Sequence, residues 1–247
     1  MEDINNWEIK YTDCQYTKRL LNKLSELNQQ VTIPVNINEI IKGIYYAKKY
    51  HGSQMRQSGD PYYSHPIEVA YMVAEHTALK VPKYFRTDMI ITSLLHDTIE
   101  DTTLTEDMIT MIFNKQIARQ VEGLTRVKSY GKISAAETLD ILFQQKKYDV
   151  LLIKLFDRLH NMQTIGVKSP EKIKKIVEET FKNFISISMY CGTKQLENTL
   201  TNLCYKHLLG TESPLEPTTI IQHKYQLPSL IFENDVNQKQ ILHLLES

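Results

Sequence analysis

Cysteine, glycine and proline are all scarce in this chain of 247 residues. The three cysteines, Cys14, Cys191 and Cys204, are odd in number and widely spaced, and no CxxC motif is present. This usage argues against a disulfide framework and favours the reduced thiols of a cytosolic protein. Eight glycines and eight prolines leave little room for a β architecture that depends on tight turns.

Net charge and long apolar runs are missing as well. The 29 basic and 29 acidic residues cancel, so no overall field attracts nucleic acid or a membrane surface, and an anionic ligand must be bound by a local cluster. No apolar run approaches the roughly 20 residues needed to span a bilayer. The N-terminus lacks the basic and apolar segments of a signal peptide. We therefore expect a cytoplasmic protein without a nucleic-acid or membrane partner.

What the sequence does have is apolar spacing of helical period along most of its length. The predicted helices are Ile37–Tyr50, Pro66 to about His76, Arg86–Asp101, Glu106–Phe113, Ile117–Val127, a helix opened by the capping box Ser134–Glu137, Tyr148–Met162, a long helix from Pro170 to Tyr190 with Ser169 as its N-cap, and Leu196–Leu209. The polar stretch His51–Tyr63 is predicted to be a loop. After Gly210 a linker is expected over Thr211–Pro217, and one last helix over Val236–Leu245. The pattern predicts an all-α protein with a small helical C-terminal appendage.

Four polar residues end the apolar run that begins at Met89. They are His96, Asp97, Glu100 and Asp101. Residues three or four apart share a helix face, so we expect one polar edge at the end of an apolar helix. Three carboxylates at a helix C-terminus oppose the helix dipole. A bound cation would remove that conflict, and Glu100 and Asp101 could then orient or deprotonate a water molecule on it.

Two further segments supply groups of the same kind. Asp157 lies in a helix with an apolar inner side, where a carboxylate needs a positive partner. His65 stands where the loop enters a helix. With His96 and Asp97 they offer two imidazoles and two carboxylates, a set that suits Mn²⁺, Fe²⁺ or Zn²⁺ better than Ca²⁺.

Each of these residues also has a plainer interpretation. His65 before a proline is often an ordinary loop residue, and Asp157 can form an internal ion pair with Arg158. His160 is not expected to be a ligand, and either lies behind the ligands or belongs to the core. It is the occurrence of the three segments together that favours a metal site.

Four segments, in order along the chain, form a recognisable set. They are Arg56–Pro66 (RQSGDPYYSHP), Leu94–Thr102 (LLHDTIEDT), Val121–Thr125 (VEGLT) and Ile153–Met162 (IKLFDRLHNM). Over roughly residues 35 to 205 the chain resembles the hydrolase domain of the RelA/SpoT-homologue family, whose members are all-helical, HD-type, Mn²⁺-dependent (p)ppGpp pyrophosphohydrolases. The resemblance implies an HD-domain helical bundle over residues 35–209, a helical extension over 1–34, and a linker and appendage over 210–247. No synthetase domain is expected in the residues that remain, so the chain is either a stand-alone hydrolase or a truncated descendant of a bifunctional enzyme.

The resemblance also implies a role for each site residue. The Mn²⁺ ligands would be His65, His96, Asp97 and Asp157. The acids that assist water attack would be Glu100 and Asp101. The nucleotide loop would contribute Arg56 and Ser58, and Asn161 and Thr164 would face the ribose and base. The implied reaction is hydrolysis of the 3′-pyrophosphate of ppGpp or pppGpp to GDP or GTP and pyrophosphate. The basic residues Arg126, Lys128 and Lys132 either screen the polyanionic substrate or form a solvated turn.

The chain departs from the family pattern at several places. Gln57 stands where many relatives have a basic residue, Asp60 replaces the commoner Glu, and Ser134–Gln145 matches poorly. Two other functions therefore stay open: an HD phosphohydrolase of another nucleotide, such as NADPH or a deoxynucleotide, and a non-catalytic remnant that binds (p)ppGpp or a protein. The sequence leaves open the metal, the preference between ppGpp and pppGpp, and the oligomeric state.

Overall fold

The computed structural model describes residues 13–128 and 131–209. The predicted linker over Thr211–Pro217 and the predicted helix over Val236–Leu245 lie outside these residues. The chain divides between His160 and Asn161 into two compact units.

The first unit is built from helices. They are α1 (Gln15–Asn28), α2 (Ile37–His51), α3 (Ser64–Lys80), α4 (Thr87–Leu95), α5 (Thr98–Asp101), α6 (Glu106–Ile112), α7 (Lys115–Leu124), α8 (Ala135–Gln144) and α9 (Tyr148–Gln163, whose last residues belong to the second unit), with a 3₁₀ turn at Pro82–Tyr84. Two short strands, β1 (Val127–Lys128) and β2 (Gly131–Lys132), pair antiparallel between α7 and α8. The all-α prediction is confirmed.

Helix α4 is the centre of this unit. All its residues from Met89 to Leu95 are buried, and it contacts α2, α3 and α7. A helix that is apolar on every side is stable only when it is enclosed in this way. Helix α1 packs on α3, and none of the helices within the described residues is long and apolar enough to cross a bilayer.

The second unit continues the helical pattern. Its elements are a 3₁₀ turn at Ile165–Val167, α10 (Pro170–Glu179), a π-helical segment at Thr180–Ile185, α11 (Ser186–Tyr190) and α12 (Lys194–Leu209). Helix α12 packs against α10 and the π-helical segment. The edge of the Phe181 ring meets the Tyr205 ring at 6.4 Å between centroids.

The sequence predicts the residues that precede two of the helices, Ser134 and Ser169. The capping box before α8 is confirmed: the Glu137 amide donates to Ser134 Oγ at 3.1 Å, and the Ser134 amide donates to Glu137 Oε2 at 2.7 Å. Ser169 stands at the N-cap before Pro170, as predicted, although its side chain makes no capping hydrogen bond.

Three predicted helices differ from the structure, two of them away from the site. The Pro170–Tyr190 helix changes to π-helical geometry where Thr180 Oγ1 donates to the Ile176 carbonyl at 2.6 Å and Asn183 Nδ2 donates to the Glu179 carbonyl at 3.1 Å. Side chains that compete for helix carbonyls disturb the regular ladder. The helix predicted to end at Val127 ends at Leu124, because Val127 pairs with Lys132 in the hairpin.

The interruption that matters for the site is in the predicted helix Arg86–Asp101. The helix ends at Leu95, and His96 and Asp97 form a turn before the single turn of α5. Thr98 Oγ1 donates to the Leu95 carbonyl at 2.7 Å, and His96 Nδ1 lies 2.8 Å from the Ser93 carbonyl. The side chains of Thr98 and His96 therefore hydrogen-bond to main-chain carbonyl groups at the end of α4. The prediction of one continuous helix is wrong, and the acidic residues do not all lie at one helix C-terminus.

Candidate metal centre and nucleotide loop

Three side chains from separate elements meet at one buried point. His65 is the second residue of α3, His96 follows α4, and Asp157 lies in α9. One ligand atom from each lies within 4.8 Å of the other two, and all three residues are buried. Because they are far apart in the sequence, only the packing of α3, α4 and α9 brings them together.

Asp97 borders the same point. Its Oδ2 atom lies 3.5 Å from His65 Nε2 and 3.2 Å from His96 Nε2. Asp157 Oδ1 lies 3.1 Å from His65 Nε2 and 3.7 Å from His96 Nε2. The four residues predicted as metal ligands therefore lie together, with two imidazole nitrogens facing two carboxylate oxygens.

The ring of His96 shows what this arrangement requires. The Ser93 carbonyl can only accept a hydrogen bond, so His96 carries a proton on Nδ1. In the neutral ring Nε2 then has a lone pair, and this buried atom has no hydrogen-bond partner. A lone pair that faces carboxylate oxygens is repelled unless a proton or a metal ion lies between them.

In the absence of a metal ion, the nearby carboxylates favour protonation of the His96 ring. Burial opposes a charged His96, but the negative charges of Asp97 and Asp157 outweigh burial and raise the pKa of His96 to about 10. Burial also opposes ionisation of the two carboxyl groups. His96 beside Asp97, and Lys154 beside Asp157, hold both carboxyl pKa values well below their usual range. A set of two imidazole nitrogens and two carboxylate oxygens fits a divalent transition metal.

Lys154 is a cationic partner of Asp157. Its Nζ atom lies 3.0 Å from Asp157 Oδ2, and both side chains are about nine-tenths buried. The other oxygen of Asp157, Oδ1, faces the imidazoles. Asp157 thus presents one oxygen to the cluster while the other is held by Lys154. The sequence predicts a positive partner for Asp157, but names the metal or Arg158 for that role.

His160 contacts the second ligand ring. His65 Nδ1 and His160 Nδ1 lie 2.7 Å apart, so one ring donates to the other. Burial and the nearby charges of His65 and Arg56 lower the pKa of His160 to about 3. A neutral His160 can accept from His65 Nδ1, which leaves His65 Nε2 with a lone pair for a metal ion.

Glu100 is held by the basic hairpin. Arg126 Nη2 lies 2.7 Å from Glu100 Oε1, the Arg126 amide donates to Oε2 at 3.2 Å, and Lys132 Nζ lies 2.8 Å from Oε1. Burial opposes ionisation of Glu100, but these contacts outweigh it and lower the pKa of the carboxyl group. Arg126 and Lys132 therefore bind a predicted site residue, whereas Lys128 Nζ lies 2.7 Å from Glu122 Oε1.

Asp101 is exposed and accepts a hydrogen bond from Tyr62. The Tyr62 hydroxyl lies 2.6 Å from Asp101 Oδ2 and 3.3 Å from Asp97 Oδ2. Burial and the nearby Asp97 raise the pKa of Tyr62, so the hydroxyl group stays a donor. The Tyr62 ring stacks on His51 at 4.5 Å between centroids. Tyr62 thus links the predicted ligand Asp97 to the predicted catalytic residue Asp101.

Arg56 and Ser58 lie in a tight turn before α3. The Arg56 amide donates to the Asp60 carbonyl at 2.8 Å, and the Gly59 amide donates to the Arg56 carbonyl at 3.0 Å. Gly59 has φ of +90°, which a residue with a side chain rarely adopts. Ser58 is exposed, and its hydroxyl group donates to Asp60 Oδ2 at 2.8 Å.

Asn161 and Thr164 belong to the second unit. Thr164 Oγ1 lies 3.5 Å from the Asn161 carbonyl. Their role at the ribose and base stays a prediction.

Sequence reasoning missed two residues of the site, Tyr62 and Lys154, and left His160 open between a residue behind the ligands and a core residue; its contact with His65 places it behind a ligand. All lie inside the segments that carry the family resemblance. Lys154 and His160 are each three residues from Asp157 on α9, a spacing that places them beside it on the helix. That spacing was the available signal, but only the packing shows which atoms they contact.

Comparison with known proteins places the chain in a family. The HD domain family matches residues 43–189. GTP pyrophosphokinase rsh of Brucella ovis is 38% identical over 192 residues, which are 75% of this chain and 25% of that protein. The guanosine-3′,5′-bis(diphosphate) 3′-pyrophosphohydrolase of Aquifex aeolicus is 36% identical over 182 residues, 72% of this chain and 25% of that protein. This chain therefore spans about a quarter of the length of these two relatives.

A solved structure agrees with the fold. It is a metazoan orthologue of SpoT, described as hydrolysing ppGpp and acting in starvation responses, and it matches with a TM-score of 0.50 and 21% identity over 69% of this chain and 96% of that one. At this identity the match shows the helical fold alone. The resemblance to the RelA/SpoT homologues is confirmed, and the chain belongs to the HD domain family.

Proposed function

We propose that this chain is a Mn²⁺-dependent hydrolase that removes the 3′-pyrophosphate of ppGpp or pppGpp and releases GDP or GTP. The observation that carries the proposal is the buried cluster of His65, His96 and Asp157, with Asp97 beside it. A mixed nitrogen and oxygen set of this kind is typical of metal-dependent hydrolysis.

The relatives support the choice of substrate. The Aquifex relative carries the name of the same 3′-pyrophosphohydrolase reaction. The Brucella relative is named for pyrophosphate transfer to GTP, which is chemistry of the whole, longer protein. A cluster of metal-ligand side chains with acids beside it suits phosphate-ester hydrolysis, so we assign the hydrolytic reaction to this chain.

The metal ligands and the acids beside them have separate tasks in this proposal. A divalent ion bound by the cluster would lower the pKa of a bound water molecule and offset charge on the phosphoryl oxygens. Asp101 is the better placed of the two acids to take a proton, because it is exposed and Tyr62 holds it. Glu100 shares its carboxylate with Arg126 and Lys132, so we assign it to orienting these two cations.

The nucleotide is assigned to the residues that the resemblance implies. Arg56 can stack on a purine or pair with phosphate, and Ser58, Asn161 and Thr164 supply neutral hydrogen-bonding groups. We propose residues 35–209 as the hydrolase domain, with 1–34 as a helical extension and 210–247 as a linker and appendage. We further propose a cytoplasmic location, which agrees with the three free cysteines.

The proposal is tested by incubating the purified chain with Mn²⁺ and a panel of ppGpp, pppGpp, NADPH and deoxynucleotides. We expect equal amounts of pyrophosphate and GDP from ppGpp. Absence of pyrophosphate release, or a higher kcat/KM for a nucleotide that lacks guanosine, would overturn it. Repeating the assay with Mg²⁺, Zn²⁺ and Fe²⁺ decides whether Mn²⁺ is the preferred ion, since ligand type alone does not choose among them.

A further inference from the structure

The turn that carries Arg56 and Ser58 is tied to helix α1 by a side-chain hydrogen bond. The Tyr16 hydroxyl group donates to Asp60 Oδ1 at 3.0 Å. The other oxygen of the same carboxylate, Oδ2, accepts from Ser58 Oγ at 2.8 Å. Asp60 therefore connects α1 to a residue that we assign to the nucleotide site.

Backbone contacts alone do not fix the side chain of Ser58. The two hydrogen bonds between Arg56, Gly59 and Asp60 set the path of the main chain, but Ser58 is exposed and its hydroxyl group is free to rotate about its Cβ–Oγ bond. The contact with Asp60 gives this hydroxyl group one direction. Its hydrogen points at the carboxylate, so the remaining lone pairs are what Ser58 can offer to a ligand.

Helix α1 is a firm anchor for this contact. Its buried face consists of Leu20, Leu24 and Leu27, besides Thr17. On its exposed side Arg19 Nη1 donates to both carboxylate oxygens of Glu68 on α3, at 2.7 and 2.8 Å. These contacts hold α1 on α3 at residues that lie outside the loop.

We infer that Tyr16 is a positioning residue for nucleotide binding: it holds Asp60, and Asp60 directs the Ser58 hydroxyl group so that Ser58 accepts hydrogen bonds from donor groups of the nucleotide. The inference rests on the proposed function, because it takes the turn as the nucleotide site. Tyr16 lies outside residues 43–189, which match the HD domain family. The hydrogen bond from Tyr16 to Asp60 thus comes from a residue outside the part of the chain that matches the HD domain family.

The first test is Tyr16→Phe, which removes the hydroxyl group and keeps the ring. We expect KM for ppGpp to rise about 3- to 10-fold with kcat within about twofold of wild type, as for the loss of one hydrogen bond that acts on binding. Asp60→Asn is expected to raise KM as well. The double variant is expected to have a KM no higher than the worse single variant, because both changes break one connection.

The matched control is Arg19→Met on the same helix. It removes the ion pair with Glu68 and leaves the contact between Tyr16 and Asp60 in place. We expect its KM to equal that of wild type. An unchanged KM in Tyr16→Phe, or an equal rise in Arg19→Met, would overturn the inference, since the effect would then be absent or would come from the docking of α1 as a whole.

A second measurement does not depend on turnover. Amide hydrogen exchange of residues 56–60, without nucleotide, is expected to be faster in Tyr16→Phe than in wild type and in Arg19→Met. If wild type fails to hydrolyse ppGpp, the proposed function fails, and this exchange measurement still decides whether Tyr16 orders the turn. Equal exchange in all three proteins would contradict the inference.

Discussion

The imidazole rings of His65 and His96 are oriented by different kinds of hydrogen-bond partner. His96 Nδ1 faces the Ser93 carbonyl, which can only accept, whereas His65 Nδ1 faces the ring of His160, which can accept or donate. The tautomer of His96 is therefore fixed by the backbone. The neutral ring of His65 has a lone pair on Nε2 only while its Nδ1–H group donates a hydrogen bond to His160.

This difference predicts the effect of substituting His160. His160→Phe removes the acceptor, and we expect the affinity for Mn²⁺ to fall about 10- to 100-fold, measured by competition with a chelator. His160→Gln keeps an acceptor and is expected to lose less. The control is His76→Phe, a substitution of another largely enclosed histidine, whose ring packs on Phe156. Wild-type metal affinity in His160→Phe would contradict the assignment.

The contact between Lys154 and Asp157 predicts that a substitution of Lys154 changes the stability of the protein rather than the binding of metal. Lys154→Met leaves the buried Asp157 without the cation at 3.0 Å from its Oδ2. Breaking a buried ion pair by removing one partner costs about 3 kcal/mol or more, so we expect a lower free energy of unfolding in urea with a chelator present. Lys174→Met, at a side chain that is 65% exposed, is the control and is expected to change stability by less than about 0.5 kcal/mol. An unchanged stability in Lys154→Met would show that the pair does not form.

At the scale of elements, the hairpin β1–β2 is held to α5 by Glu100. The pKa of Glu100 in the folded protein is lowered from its ordinary value of 4.5. The contribution of Glu100 to stability is therefore present above about pH 4.5 and is lost as the pH falls through the lower, folded-state pKa. Because Arg126 and Lys132 are partly exposed, we expect this contribution to be about 1 kcal/mol.

The measurement compares unfolding of wild type and Glu100→Gln from pH 7 to pH 3. We expect wild type to be the more stable at pH 7, and the difference to shrink below about pH 4.5. A gap between wild type and Glu100→Gln that is constant with pH would mean that the charge of Glu100 is not involved.

The helices of this chain could be predicted from the sequence because apolar spacing and caps are local. The central burial of α4 and the capping box at Ser134 follow from residues a few positions apart. The break at His96 could not be predicted, because it depends on side chains taking up the carbonyls of Ser93 and Leu95. That break is also what turns His96 and Asp97 toward the same point.

The candidate site was predictable in its residue types but not in its contacts. His65, His96 and Asp157 stand out because imidazoles and carboxylates are costly in apolar segments. The partners Tyr62, Lys154 and His160 act through atoms that approach only when α3, α4 and α9 pack. A motif names the ligands, whereas the packing decides which nitrogen and which oxygen faces the centre.

For the molecule as a whole, a metal that binds the folded state alone stabilises it. At a free Mn²⁺ concentration of about 100 times Kd, the gain is about 2.7 kcal/mol. We therefore expect the midpoint of thermal unfolding to rise with added Mn²⁺ in wild type and not in Asp97→Asn. An equal rise in both proteins would place the stabilising ion elsewhere.

We propose that the buried cluster of His65, His96, Asp97 and Asp157 is a catalytic metal centre for (p)ppGpp. The most direct measurement is pyrophosphate release from ppGpp by the metal-stripped protein before and after Mn²⁺ is restored, in wild type, in Asp97→Asn, and in Asp140→Asn, which removes a carboxylate at an exposed position of α8. We predict release only with Mn²⁺, a loss of at least about 100-fold in Asp97→Asn, and wild-type rates in Asp140→Asn. Release that is independent of the metal, or unchanged in Asp97→Asn, would show that this cluster is not the catalytic centre.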